Sequence, residues 1–171
     1  MGLLCAPLNL NSRGLGELSV LAGFGLLPLG TYLVQTGMLS GTLLLVSLPI
    51  GLLTANLLYI NQFPDRRADI QAHKLHWVAR LSPQVARWGY VLIASLAWLT
   101  LLVLIASGVL PVLASISALP LVLSIKAARI LLRHAATPQK LAPAIQLTIL
   151  AMLSHGALLT LALVMASFVT I

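Results

Sequence analysis

The sequence is poor in charge. Only 8% of its 171 residues are charged, and three of these are acidic, against about 25% charged residues in an ordinary soluble domain. No Asp, Glu, Lys or Arg interrupts the runs Leu18 to Pro64 and Trp88 to Ile125. Apolar runs of that length do not fit inside one small soluble core and require lipid. Cysteine is reduced to Cys5, which excludes an internal disulfide and leaves no second thiol for a metal site. The net charge of +7 does not mark a nucleic-acid surface, because no basic stripe interleaved with aromatics accompanies it. The segment Met1 to Ser12 lacks a basic region and a long apolar stretch, so no signal peptide is expected there.

What remains is apolar: 60% of the residues are hydrophobic. A helix crosses a bilayer with about 20 such residues at about 1.5 Å per residue. The first run is long enough for two crossings, broken where Gly37 to Gly41 permits a turn. This predicts helices near Leu15–Gln35 and Thr42–Asn61. The second run breaks at Gly108 and Pro111, giving helices near Trp88–Ser107 and Leu110–Ile125, the latter continuing to about Arg133. A last helix is expected over about Pro143–Val169. The fold class is therefore all-α: a polytopic transmembrane bundle of about five spans, with residues 1–171 forming one membrane domain and 61–87 a polar loop.

Charge orients the spans. Arg13 precedes the first; Arg66, Arg67, Lys74, Arg80 and Arg87 follow the second; Lys126, Arg129, Arg133 and Lys140 lie between the fourth and fifth. The other two connections carry no charge. The positive-inside rule makes the basic side cytoplasmic, with the N-terminus inside and the C-terminus outside.

Chemistry concentrates in Asn61-Gln62-Phe63-Pro64-Asp65-Arg66-Arg67-Ala68-Asp69, which holds two of the three acids. Proline kinks or ends a helix and suits the first position of a new one, so Pro64 is expected to start a short surface helix. Asp65 and Asp69, four apart, would share one face of it, their Cβ atoms about 5–6 Å apart. Two carboxylates so placed suit magnesium, which takes few protein ligands and completes its shell with water and phosphate oxygens. Asn61, one turn earlier, offers a neutral oxygen, and Arg66, Arg67, Lys74 and Arg80 offer positive charge for a phosphate. The same residues also fit an ordinary solvated loop whose basic side chains only set topology.

This segment resembles the second Asp-rich motif of the UbiA superfamily of membrane prenyltransferases. That motif has the form D-x-x-x-D, followed by Gly-Lys and a Leu-x-Val-Arg-Leu-Gly stretch. Here it reads Asp65-x-x-x-Asp69, then Ala72-His73-Lys74, then Trp77-Val78-Ala79-Arg80-Leu81-Ser82. Arg13-Gly14-Leu15-Gly16-Glu17 and Gly30-Thr31-Tyr32-Leu33-Val34-Gln35-Thr36-Gly37 are similar to the branch that prenylates 1,4-dihydroxy-2-naphthoate in menaquinone synthesis. The resemblance implies the C-terminal half of a UbiA-type helix bundle in a bacterial inner membrane, joining a polyprenyl diphosphate to an aromatic acceptor with Mg2+. It implies Asp65 and Asp69 as catalytic metal ligands, Asn61 as a supporting ligand, and Lys74 and Arg80 as diphosphate contacts. The family's first motif, N-D-x-x-D-x-x-x-D, is absent, and His73 and Ser82 stand where the family has glycine. Completion of the site is then expected from an N-terminal half, supplied by another chain or a second copy. The rival reading is a non-catalytic remnant or membrane scaffold retaining the fold.

Other residues stay open. Glu17 reads either as an acceptor-pocket residue or as a partner of Arg13. His155 falls inside the last span, where an ionisable residue is a functional candidate, although a neutral histidine hydrogen-bonded to a neighbouring helix is cheaper. His73, His76 and His134 have no partners at zinc-ligand spacing. Tyr59 is a candidate cation-stabilising ring or an interfacial aromatic; Trp77 and Trp88 read as interfacial aromatics.

Overall fold

The computed structural model describes residues 16–169; Cys5 and Arg13 lie outside them. The described residues form α1 (Gly16–Thr36), α2 (Gly41–Gln71), a single-turn α3 (Trp77–Arg80), α4 (Pro83–Ala106), α5 (Leu121–His134) and α6 (Ala142–Val169). They contain no strand. Five helical stretches are long and apolar enough to cross a membrane, the fourth running Val112–His134 through a 3-10 turn. Large apolar side chains such as Phe24, Val34, Leu99 and Leu153 point outward, as lipid allows.

The structure departs from the expected boundaries in three places, one of them α4, which begins at Pro83 and not near Trp88. α2 does not end near Asn61 but runs ten residues further, straight through Pro64. Of the stretch 61–87, only residues 72–76 and 81–82 lie outside helices. Proline removes one backbone hydrogen bond, and here the helix beyond it is held by side-chain contacts described below. The fourth span is also not one helix from Leu110. Val112–Ala118 winds as a 3-10 turn, and α5 starts only after Pro120, whose missing N–H cannot continue a helix.

α2 is the central post, packing against α1, α3, α4 and α6, while α5 and the 3-10 turn close on α6 and α4. The α1–α2 crossing relies on glycine: a Cβ on Gly51 would stand 3.1 Å from the Gly25 Cα, the close backbone approach typical of packing in lipid. At the basic end the helices are tied by polar side chains. The Tyr59 hydroxyl donates to the Ala86 carbonyl at 2.7 Å. The Thr148 hydroxyl donates to the Ala144 carbonyl, so the Tyr90 hydroxyl donates to Thr148, at 2.8 Å. Arg87 donates to the Leu132 carbonyl. Tyr59 is thus a buried inter-helix tie rather than an interfacial aromatic.

His155 is fully buried. Its Nδ1 sits 2.9 Å from the Ser117 carbonyl, which can only accept, so Nδ1 carries the proton. The ring meets Trp98 edge-on, with centroids 5.3 Å apart. The histidine is hydrogen-bonded to a neighbouring element, fastening α6 to the 3-10 turn.

Tyr59 leaves no room beyond Gly89, where a Cβ would fall 2.2 Å from its hydroxyl. Gly89→Ala is expected to destabilise the protein by about 1–3 kcal/mol, measured by thermal unfolding in detergent, and to cost much less in a Tyr59→Ala background.

Candidate functional site

The last turns of α2 carry Asn61, Asp65 and Asp69 at successive spacings of four, which sets them along one face. The helix then closes with a Schellman turn: His73 N–H donates to the Ile70 carbonyl at 3.1 Å and Lys74 N–H to the Asp69 carbonyl at 2.8 Å. That motif needs a left-handed residue just past the cap, normally glycine, and His73 supplies it with φ +56°. The turn brings Lys74 back over the helix, its Nζ 3.4 Å from Asp69 Oδ1.

His76 follows, 1% exposed. Its Nδ1 accepts the Ala79 N–H at 3.2 Å, capping α3, and its Nε2 lies 3.0 Å from Asp69 Oδ2. The far end of α3 is held by Arg66, whose guanidinium donates to the carbonyls of Val78 at 2.9 Å, Ala79 at 3.3 Å and Leu81 at 3.1 Å. Arg66 is therefore committed to the fold and does not supply the phosphate charge expected of it.

Asn61, Gln62, Asp65, Asp69, Lys74 and His76, with Leu58, line a recess of about 150 Å³. Asp65 is exposed and has no ion pair among the described residues. Arg80 is not in the recess; its Nε donates to the Leu75 carbonyl. Gln62 is buried and donates Nε2–H to Glu17 Oε1 at 2.7 Å. Glu17 thereby touches the recess wall, and its partner in the structure is Gln62. Gln62 Oε1 and Glu17 Oε2 are buried with no hydrogen-bond partner among the described residues. Larger grooves exist, including one of about 550 Å³ along the outer face of α1, but they are apolar and lined by residues such as Leu27 and Val34.

The donor set is oxygen: two carboxylates, the Asn61 amide and the orphaned Gln62 carbonyl. That suits a hard cation. Among the described residues no three His, Cys, Asp or Glu side chains cluster to hold a metal by themselves, so a cation here would draw further ligands from water and an anionic substrate, as magnesium does. Sequence reasoning missed Gln62 and His76. Neither sits at a recognisable spacing, because Gln62 acts through α1 and His76 through a turn that reverses the chain.

The fold and the recess together define a polytopic membrane protein with an acidic, polar recess at one mouth of its helix bundle. The chain belongs to the UbiA prenyltransferase family, whose model matches residues 6–153. It is also similar to a 1,4-dihydroxy-2-naphthoate octaprenyltransferase of Haemophilus influenzae, 36% identical over 85 residues, which are 49% of this chain and 28% of that protein. The matched part is thus well under half the relative's length. No solved structure matches the chain.

A left-handed backbone is uphill for any residue but glycine. His73→Gly is expected to raise stability by about 0.5–1 kcal/mol, read as a higher unfolding midpoint in detergent.

Proposed function

We propose that the chain acts in transfer of a polyprenyl group from its diphosphate to an aromatic acceptor in quinone biosynthesis. The reading is supported above all by Asn61, Asp65, Asp69 and Lys74 lining one polar recess at the end of a membrane-spanning helix. The relative's aromatic substrate supports the acceptor class. Asp65 and Asp69, with Asn61, are the residues that would hold Mg2+ against the diphosphate. When bound, the metal neutralises charge building on the leaving diphosphate. Lys74 adds positive charge at the same mouth, and Arg80 would contact the diphosphate by turning away from the Leu75 carbonyl. The apolar bundle keeps water from an allylic cation. The basic end lies in the cytoplasm, in a bacterial inner membrane, with the C-terminus outside. A complementary N-terminal half on another chain would supply the first Asp-rich motif, or a second copy would complete the site with its own Asp65 and Asp69.

The test is Mg2+-dependent binding of geranylgeranyl diphosphate to the purified protein in detergent. Asp65→Asn/Asp69→Asn is expected to weaken it by about tenfold or more, the scale on which metal sites respond to lost ligands or their supports. Equal binding by wild type and double mutant would leave a membrane scaffold with the family's fold and without its chemistry.

A further inference from the structure

The two oxygens of Asp69 have unlike partners. Oδ2 faces His76, whose ring is buried and engaged at both nitrogens. Because Nδ1 accepts the Ala79 N–H, the proton of a neutral ring must sit on Nε2, which donates to Oδ2. The ring cannot swing away without uncapping α3, whose other end Arg66 fastens to α2. Oδ1 faces Lys74, whose side chain is 52% exposed. Its 3.4 Å separation is longer than a charge-assisted hydrogen bond of about 2.7–2.9 Å. The Schellman turn fixes the Lys74 backbone, so only its flexible stem needs to move, and a half-exposed pair of this kind is weak.

We propose that Asp69 is a divided ligand, with His76 as its fixed positioning residue on one oxygen and Lys74 as an exchangeable counter-ion on the other. Lys74 offsets the paired carboxylates Asp65 and Asp69. With a divalent cation held by Asp65 and Asp69, Lys74 would give up Oδ1, and its flexible stem would carry the ammonium to the diphosphate. One lysine thus balances charge in both states, and the metal and the diphosphate are bound in sequence rather than independently. This rests on the functional reading above.

The experiment uses the full chain in detergent with Mn2+ as the paramagnetic stand-in for Mg2+. Mn2+ binding alone is followed by electron paramagnetic resonance, and inorganic diphosphate binding at saturating Mn2+ by equilibrium dialysis. Lys74→Met is expected to tighten Mn2+ alone by about two- to fivefold and to weaken diphosphate by a similar factor. Opposite signs are not produced by a general loss of structure. His76→Leu is expected to weaken Mn2+ by about tenfold or more, and His76→Gln, which restores a donor toward Oδ2, to recover most of it. Lys74→Met binding Mn2+ no more tightly than wild type would overturn the exchange, and wild-type affinity in His76→Leu would overturn the fixed partner. Wild type that binds no diphosphate with Mn2+ would instead sink the functional reading and this inference with it.

Discussion

Arg66 holds two carbonyls of a single-turn helix and that of Leu81 just after it, and the position of that turn determines the shape of the polar mouth. The helix is too short to stand alone, since nucleating one turn is unfavourable. It exists because its C-terminal carbonyls find a guanidinium and its N-terminus finds a capping histidine. Both anchors lead back to α2, one through Arg66 and one through Asp69. Remove either, and only the burial of Val78 and Ala79 is left to hold the chain between Ala72 and Ser82 over the Asp65–Asp69 face.

This explains why α2 outruns its apolar segment. Pro64 costs the helix a hydrogen bond, yet within eight residues of it Arg66 and Asp69 both make tertiary contacts that only a continued helix can place correctly. The motif D-R-R-A-D is thus two interleaved devices. Its acids face the recess, while its first arginine is structural.

Much of the architecture was legible in the sequence because lipid leaves few choices. Backbone groups in a bilayer must be satisfied within helices, so uncharged runs, glycine turns and basic connections gave five spans with boundaries close to those of α1 and α6. The same reasoning failed where tertiary contacts override a local rule. Pro64 reads as a terminator and is not one. Pro120 sits in an apolar run that looks continuous, and it divides a 3-10 turn from α5. Around the recess, Asn61, Asp65, Asp69 and Lys74 were visible from spacing and from resemblance. Arg80 was expected with them and turns instead to the Leu75 carbonyl. His76 was hidden because its partner is seven residues away across a reversal no periodicity encodes. His73, read as a departure from glycine, proves to occupy the very backbone conformation that glycine would have eased.

The scarcity of acids gives the site its electrostatic character. All three acids of the sequence, Glu17, Asp65 and Asp69, lie at or against one recess, yet each is handled differently. Glu17 is buried on the Gln62 amide, Asp65 is left open, and Asp69 is shared between a buried imidazole and a half-exposed ammonium. Two carboxylates one turn apart repel when both are ionised, and at a membrane surface the low dielectric on one side sharpens that repulsion. A nearby lysine relieves it without closing the recess, whereas a second arginine fork would bind a carboxylate more firmly and in fixed geometry. The use of lysine at 74 and arginine at 66 therefore follows from what each position must do: one charge has to move, and the other must not.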